Sequence, residues 1–194
     1  IEKWMKSKGY FHAKVKSATK VQNQKASITF NIDSAERFRF GKMSYSIPDK
    51  GVKDLFEGNI NGLTTLRTGN FYDEDSLTHY RDEIELLLKH NGYFEFEKPY
   101  IRMLVDTTLK PLQADLKVYV DNPPGEDHHK VFTINNTTLK IRKNDASMDG
   151  VPDSVVINSR YHFFDYSHHF RARPIRRFLF LKKDEIYDSG KTKL

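Results

Sequence analysis

The side chains able to carry chemistry in this chain fall into three groups: clustered histidines, arginines interleaved with phenylalanines, and scattered carboxylates. His162, His168 and His169 lie close together, with His128 and His129 upstream, and imidazole is a common zinc ligand. Neither a His-x-Glu-x-x-His spacing nor an intervening carboxylate set accompanies them, and neighbouring histidines on a strand point to opposite faces. A pair on a loop rim, with pH-sensitive charge, is the simpler reading. No metal and no cofactor are expected.

Arg171, Arg173, Arg176, Arg177, Lys182 and Lys183 form the densest basic stretch, among Phe170, Phe178 and Phe180. Such a mixture can bind nucleic acid. Helical spacing instead places Ile175, Phe178 and Leu179 on a core face and leaves the arginines solvated. An anionic lipid surface is the next reading, and nucleic acid the last. No Gly-x-Ser-x-Gly elbow, phosphate-cradling loop or paired histidine and nucleophile occurs, so an enzyme is not expected. Without cysteine, disulfides, thiolate nucleophiles and cysteine-ligated metals are excluded.

The composition is that of a folded protein: 38% apolar, 13% aromatic and 30% charged residues over 194 positions. A net charge of +6, from 32 basic and 26 acidic residues, weakly favours acidic partners. The longest apolar runs, such as Phe178-Leu179-Phe180-Leu181, fall far short of the roughly 20 residues that cross a bilayer. The opening Ile1-Glu2-Lys3-Trp4-Met5 lacks the layout of a secretion signal and reads as the middle of a helix, so a preceding segment is expected.

The elements that must position these residues are legible in the apolar spacing. Leu77, Tyr80, Ile84, Leu87 and Leu88 predict a helix over residues 73–91, capped by Asp73 or Asp75 and closed by Gly92. Leu112, Ala114, Leu116, Val118 and Val120 alternate with polar residues as a half-buried strand, and residues 94–105 predict the strand before it. Residues 107–111 are the turn between them. The chain's start repeats this order, with Gly9-Tyr10-Phe11 matching Gly92-Tyr93-Phe94. Setting Gly9 on Gly92 places Ile1 on Ile84, Trp4 on Leu87 and Met5 on Leu88. Ala26, Ile28, Phe30 and Ile32 then alternate along a strand.

A third copy begins downstream. Residues 66–73, Leu-Arg-Thr-Gly-Asn-Phe-Tyr-Asp with Gly69 and Tyr72, resemble residues 181–188, with Asp184 at the Gly69 position and Tyr187 at the Tyr72 position. Phe40-Gly41-Lys42-Met43 aligns with Ile134-Asn135-Asn136-Thr137. The unit is strand, short helix, longer helix, strand, strand, about 85 residues long. Its complete copy spans residues 36–122, with a first strand near 38–47 and a first helix near 52–60. Residues 1–35 are the second half of a preceding copy. Residues 127–194, beyond the Asn122-Pro123-Pro124-Gly125 linker, are the first part of a third copy, in which 143–153 is loop, an extra strand or hairpin lies within 154–165, and a helix begins near Pro174.

This order, with Gly-Tyr-Phe after the longer helix and Gly-Asn-Phe-Tyr-Asp before it, resembles the POTRA domains of the BamA/TamA outer-membrane assembly family, in a form similar to its Bacteroidetes-type members. The resemblance implies an α+β fold of tandem β-α-α-β-β modules, each a three-stranded sheet with two helices on one face, the first and last modules here incomplete. It also implies a periplasmic location, a carboxy-terminal β-barrel anchoring the arm to the outer membrane, and the docking of unfolded outer-membrane proteins or accessory periplasmic lipoproteins. In that family the second strand of each module is an exposed edge. Here it corresponds to Tyr100, Ile101, Arg102, Met103, Leu104 and Val105, and in the partial first copy to residues 10–16. A sheet edge offers unpaired N–H and C=O groups to an incoming strand. The alternatives are an architectural spacer that docks fixed subunits without client binding, and a basic lipid-surface binder. Gly9 and Gly92 read as helix caps, and Tyr72 and Tyr187 as packing over a helix end.

Overall fold

Helix α1 (Glu2–Ser7) opens the computed structural model, which describes residues 1–142, 151–158, 161–167, 169–175, 177 and 179–192. Beyond its cap at Lys8, Gly9 takes φ +90°, the left-handed region that glycine enters without steric penalty. Tyr10 N–H donates to Met5 C=O and Gly9 N–H to Lys6 C=O, both at 3.0 Å, the paired bonds of a Schellman helix end. Strands β1 (Lys14–Gln22) and β2 (Lys25–Asp33) pair antiparallel around Asn23 and Gln24, both with positive φ, as two-residue hairpin loops require.

This first segment departs from expectation in two respects. Ile1 and Trp4, which the alignment puts on a core face, are exposed, as are Ile28, Phe30 and Ile32, while Met5 is buried. Among the described residues nothing covers the apolar face of the hairpin. The edge strand expected over 10–16 starts only at Lys14, because residues 10–13 close into a turn in which Ala13 N–H donates to Tyr10 C=O at 3.1 Å.

Strand β3 (Arg39–Ser46) is followed by α2 (Lys50–Asn59), α3 (Glu74–His90), β4 (Ile101–Asp106) and β5 (Gln113–Val120). Asp49 starts α2 by accepting the Val52 N–H at 3.1 Å, a side-chain cap on an otherwise orphaned donor. The sheet order is β3-β5-β4, with β3 parallel and β4 antiparallel to β5. Ala114, Leu116, Val118 and Val120 are all buried, as the alternation predicts, while Leu112, expected to open the strand, precedes it with φ +55°. Tyr45, paired with Val118, shows what covers that face. Its ring lies 4.7 Å from Phe56 of α2, and its hydroxyl is 3.1 Å from that of Tyr80 on α3. Burial and this hydrogen bond raise the Tyr80 phenol's pKa. Both helices therefore pack on one face of a three-stranded sheet, and the other face, with Gln113 and Lys117, is exposed.

Strand β6 (Thr138–Ile141) opens a second three-stranded sheet with β7 (Ser154–Ile157) and β8 (His162–Asp165). Its order, β6-β8-β7, again joins a parallel and an antiparallel pair. The extra element over 154–165 is thus a hairpin. The helix expected near Pro174 is a single turn, α4 (Ala172–Ile175), which starts two residues earlier, and a last turn α5 (Ser189–Thr192) follows. Most of the loop expected over 143–153, residues 143–150, lies outside the described residues.

Asp165 is fully buried at the end of β8. Its carboxylate accepts the Ser167 hydroxyl at 2.6 Å and the N–H groups of Ser167, Phe170 and His169 at 2.8, 2.8 and 3.1 Å. Burial opposes the charge, but these donors outweigh it and hold the pKa at about 2.

The chain divides into two compact units, Ile1–Glu85 with Glu97–His128, and Leu86–Phe96 with His129–Leu194. Each contains the same backbone frame. In the first, Phe38 N–H donates to Gly9 C=O at 2.9 Å, Tyr72 N–H to Phe38 C=O at 2.9 Å, and Gly69 N–H to Phe40 C=O at 2.8 Å. In the second, Phe132 N–H donates to Gly92 C=O at 2.8 Å, Tyr187 N–H to Phe132 C=O at 2.9 Å, and Asp184 N–H to Ile134 C=O at 2.7 Å. The Phe11 ring meets that of Tyr72 at a tilt, centroids 4.9 Å apart, and the Phe94 ring meets that of Tyr187 edge-on at 5.0 Å. Burial pushes the Tyr72 phenol up to about 12. Tyr93 N–H returns to Leu88 C=O at 3.2 Å, and Gly92 has φ +96°.

A Cβ on Gly92 would lie 2.7 Å from Val131 Cγ1 and 2.8 Å from Ile186 Cγ2. Gly92→Ala is therefore expected to destabilise the protein by about 1–3 kcal/mol through strain and crowding. Gly58→Ala, inside α2 with nothing within 4 Å of the added carbon, should stabilise by about 0.5–1 kcal/mol. Urea midpoints of the two variants should move in opposite directions. Because the folded pKa of Asp165 lies below the unfolded value of about 3.9, its stabilisation is complete above about pH 5 and is lost as pH falls through about 2. The difference in Tm between the protein and Asp165→Asn should be constant from pH 5 to 7 and shrink below pH 4; a gap that persists undiminished to pH 2 contradicts the assignment.

Candidate functional site

Strand β4 occupies an edge of its sheet because only β5 pairs with it among the described residues. Asp121 N–H donates to Tyr100 C=O at 2.8 Å, which sets the phase of the ladder. Antiparallel alternation then turns the main-chain groups of Arg102, Leu104 and Asp106 toward β5 and those of Ile101, Met103 and Val105 outward. Tyr100, expected within the strand, instead ends the 3-10 turn Lys98–Tyr100, where Pro99 holds φ and has no N–H to give the ladder. The strand expected over 94–105 correspondingly begins at Ile101, since Phe96 N–H bonds Tyr93 C=O at 3.1 Å and keeps this stretch in turns.

A groove of about 660 Å³ follows this edge, lined by Arg81, Lys98, Pro99, Ile101, Arg102, Met103, Leu104 and Tyr119. A smaller hollow of about 250 Å³ adjoins Leu104 and includes Asp106, Leu109 and Asp115. Arg102 binds Asp121 with both Nε and Nη2, the latter at 2.8 Å from Oδ1, and its guanidinium lies 4.9 Å from the Tyr119 ring. The hydrogen bond from Arg102 lowers the Asp121 pKa and raises that of Arg102. Lys98 Nζ is 2.6 Å from Asp82 Oδ1 and 3.9 Å from Glu85, with its pKa raised first by the bond to Asp82. Arg81 Nε is buried without a hydrogen-bond partner. The opposite edge, β3, is partly closed. Arg39 bridges Phe71 and Thr68 Oγ1 donates to Gly41 C=O at 2.9 Å.

No protein-family model and no curated protein matches the sequence. Among solved structures, the chain is similar to POTRA domains 3–5 of Haemophilus influenzae BamA, at 11% identity and a TM-score of 0.48, over 99% of this chain and 62% of that one. It is also similar to Haemophilus ducreyi BamA lacking POTRA domains 1–3, at 16% identity and a TM-score of 0.40, over 60% of this chain and 20% of that one. The chain thus spans less than two thirds of either.

The remaining residues singled out by sequence fall into separate places. Gly9, Tyr10, Phe11, Gly69 and Tyr72 build the backbone frame of the first unit, and Gly92, Tyr93 and Phe94 that of the second. His162 lies on β8 beside Asn136 at 3.0 Å, while His129 is buried against Phe96 at 5.0 Å. His168 lies outside the described residues, among which no group of three His or acidic side chains is arranged to hold a metal. Arg171, Arg173 and Arg177 are exposed; Arg176 and Phe178 lie outside the described residues. Sequence reasoning missed Arg81, Lys98 and Tyr119. Each reads as an ordinary polar-face residue, and only the tertiary fold brings them to β4.

Proline distinguishes outward from inward positions on an edge strand. Met103→Pro removes an outward N–H and should shift the urea midpoint by no more than about 1 kcal/mol of stability, whereas Leu104→Pro removes a ladder bond to β5 and should cost about 3 kcal/mol or more. Equal losses would contradict this phase.

Proposed function

We propose that this chain is a segment of a periplasmic arm of POTRA modules from a BamA-type outer-membrane assembly factor, and that it docks extended polypeptide by strand addition to β4. The observation that carries this reading is the open edge. Ile101, Met103 and Val105 offer outward main-chain donors and acceptors beside a groove whose lining combines Pro99, Ile101, Met103 and Leu104 with Arg81, Lys98 and Arg102. Main-chain pairing tolerates many sequences, which suits clients related only by being unfolded β-strands, while Arg102, Leu104 and Tyr119 tune preference on the open face.

The sequence resemblance supports the setting, and the frame built twice around Gly9 and Gly92 supports its modular character. In this reading residues 1–35 complete a module begun upstream, 36–122 are a whole module and 127–194 begin another. The bare apolar face of the β1–β2 hairpin is then the seat of the helices of its own module. The partners are unfolded β-barrel proteins or accessory periplasmic lipoproteins, and a carboxy-terminal barrel anchors the arm. The chemistry is non-covalent.

A spacer role is favoured by a different observation, the backbone hydrogen bonds that tie each glycine turn to the following strand. The two readings separate in an amide-shift titration with short extended peptides. Docking predicts perturbation confined to Ile101, Met103 and Val105 and their immediate neighbours, abolished by Met103→Pro. No shift at millimolar peptide leaves the spacer. Binding through Arg171, Arg173 and Arg177 that collapses with salt supports the lipid-surface reading instead.

A further inference from the structure

We infer that the lysine-bearing face of the β1–β2 hairpin is a second interaction surface, separate from β4, and that it docks on an anionic lipid bilayer. The chain's net charge is concentrated there. Residues 1–35 hold seven lysines against Glu2 and Asp33, a net +5 of the whole chain's +6, and hold no arginine. Strand alternation and antiparallel register sort these charges, because residues two apart on a strand and residues directly opposite each other share a face. Lys14, Lys16 and Lys20 thus lie on one side of β1, and Lys25, opposite Gln22, joins them from β2. Val21, Ile28, Phe30 and Ile32 lie on the other side.

All four lysines are exposed, and among the described residues none of them enters an ion pair. The face has one carboxylate, Asp33 opposite Lys14, and its Oδ1 accepts the Ala35 N–H at 3.2 Å. Four lysines against one aspartate leave the strip cationic, and those on β1 span roughly 20 Å at about 3.3 Å per residue. The remaining positions, Ala18, Gln22, Ser27, Thr29 and Asn31, are uncharged, and none is aromatic. A nucleic-acid surface interleaves its cations with rings or guanidinium planes on which bases stack, and this face has neither. Ammonium groups are compact point charges on flexible stems, without the fork by which arginine fixes a single phosphate or carboxylate. A strip of them is drawn to a leaflet of many anionic head groups with no fixed contact, each lysine gaining roughly fivefold in partitioning. The apolar face then points away from the lipid and stays available to the helices of its own module.

The test is sedimentation of the whole chain with vesicles of phosphatidylcholine, either alone or with about one third phosphatidylglycerol. Binding should require phosphatidylglycerol and vanish at high salt. Lys20→Gln should lower the partition coefficient about fivefold, and Lys14→Gln, Lys16→Gln, Lys20→Gln and Lys25→Gln together about a hundredfold or more. Arginine at the same four positions should retain binding, and the amide spectrum of each variant reports whether its fold is intact. Phe30→Asn, on the apolar face, should leave partitioning unchanged, as should Arg171→Gln combined with Arg173→Gln and Arg177→Gln. Loss of binding with Phe30→Asn means that the apolar face inserts, and loss with the arginine variant places the lipid contact on the other basic stretch; either result overturns the inference. So does a failure to bind the phosphatidylglycerol vesicles, whether or not single-stranded DNA or polyglutamate binds. None of these outcomes touches β4, so the docking reading stands or falls separately.

Discussion

A glycine carbonyl facing the first strand of the following segment is the contact on which the rest depends. Gly9 and Gly92 each end a helix in the left-handed region, and the same peptide group then accepts the N–H of Phe38 or Phe132. One residue thereby stops a helix and aims the next strand. A carbonyl can do both only if nothing projects from its Cα, since a side chain would meet Tyr72 C=O at 3.0 Å in one case and Val131 at 2.7 Å in the other. The tyrosine that follows the second half of the frame, Tyr72 or Tyr187, bonds the same phenylalanine from its other side, so three backbone segments are locked by one short ladder.

With the first strand so placed, β5 lies beside it in parallel and β4 is left outermost. Two helices cover one face, where Phe56 and Tyr80 converge on Tyr45 of β3, at the opposite side of the sheet from β4. Edges are commonly blunted by a charged side chain thrown across them. Arg102 could serve that end, yet its guanidinium is turned onto Asp121 and Tyr119, both along the β5 side. The main-chain groups of Ile101, Met103 and Val105 therefore remain open to a partner.

Much of this was legible in the residues. The spacing of Tyr80, Ile84 and Leu88 located α3 because its buried stripe follows helical periodicity, and the alternation from Ala114 to Val120 located β5 because one face of that strand is buried and the other is not. Aromatic content misled at the start of β4. Phe94 and Phe96 have strand propensity, but Phe94 packs edge-to-face with Phe132 and Tyr187 and Phe96 is buried against His129, so tertiary packing overrides local preference. Trp4 failed for the complementary reason, its pattern being helical while nothing among the described residues lies over it. The groove was invisible, since Arg81 sits on the polar side of a helix whose sequence records only which residues face inward.

The substitution of Asp184 for Gly69 shows how the frame tolerates divergence. Both residues have positive φ, +66° and +90°, and both donate an N–H to the corresponding strand, at 2.7 and 2.8 Å. A Cβ on Gly69 would meet nothing within 4 Å, so the only obstacle to another residue there is the backbone conformation. That obstacle is worth about 1–2 kcal/mol, and Asp is among the residues that bear it best. At Gly9 and Gly92 the backbone and the surroundings both exclude a side chain, and glycine stands in each. Side-chain identity is thus held only where conformation and space act together, while a hydrogen-bonded backbone suffices elsewhere. For this reason two copies can share a frame, bond for bond, with few residues in common.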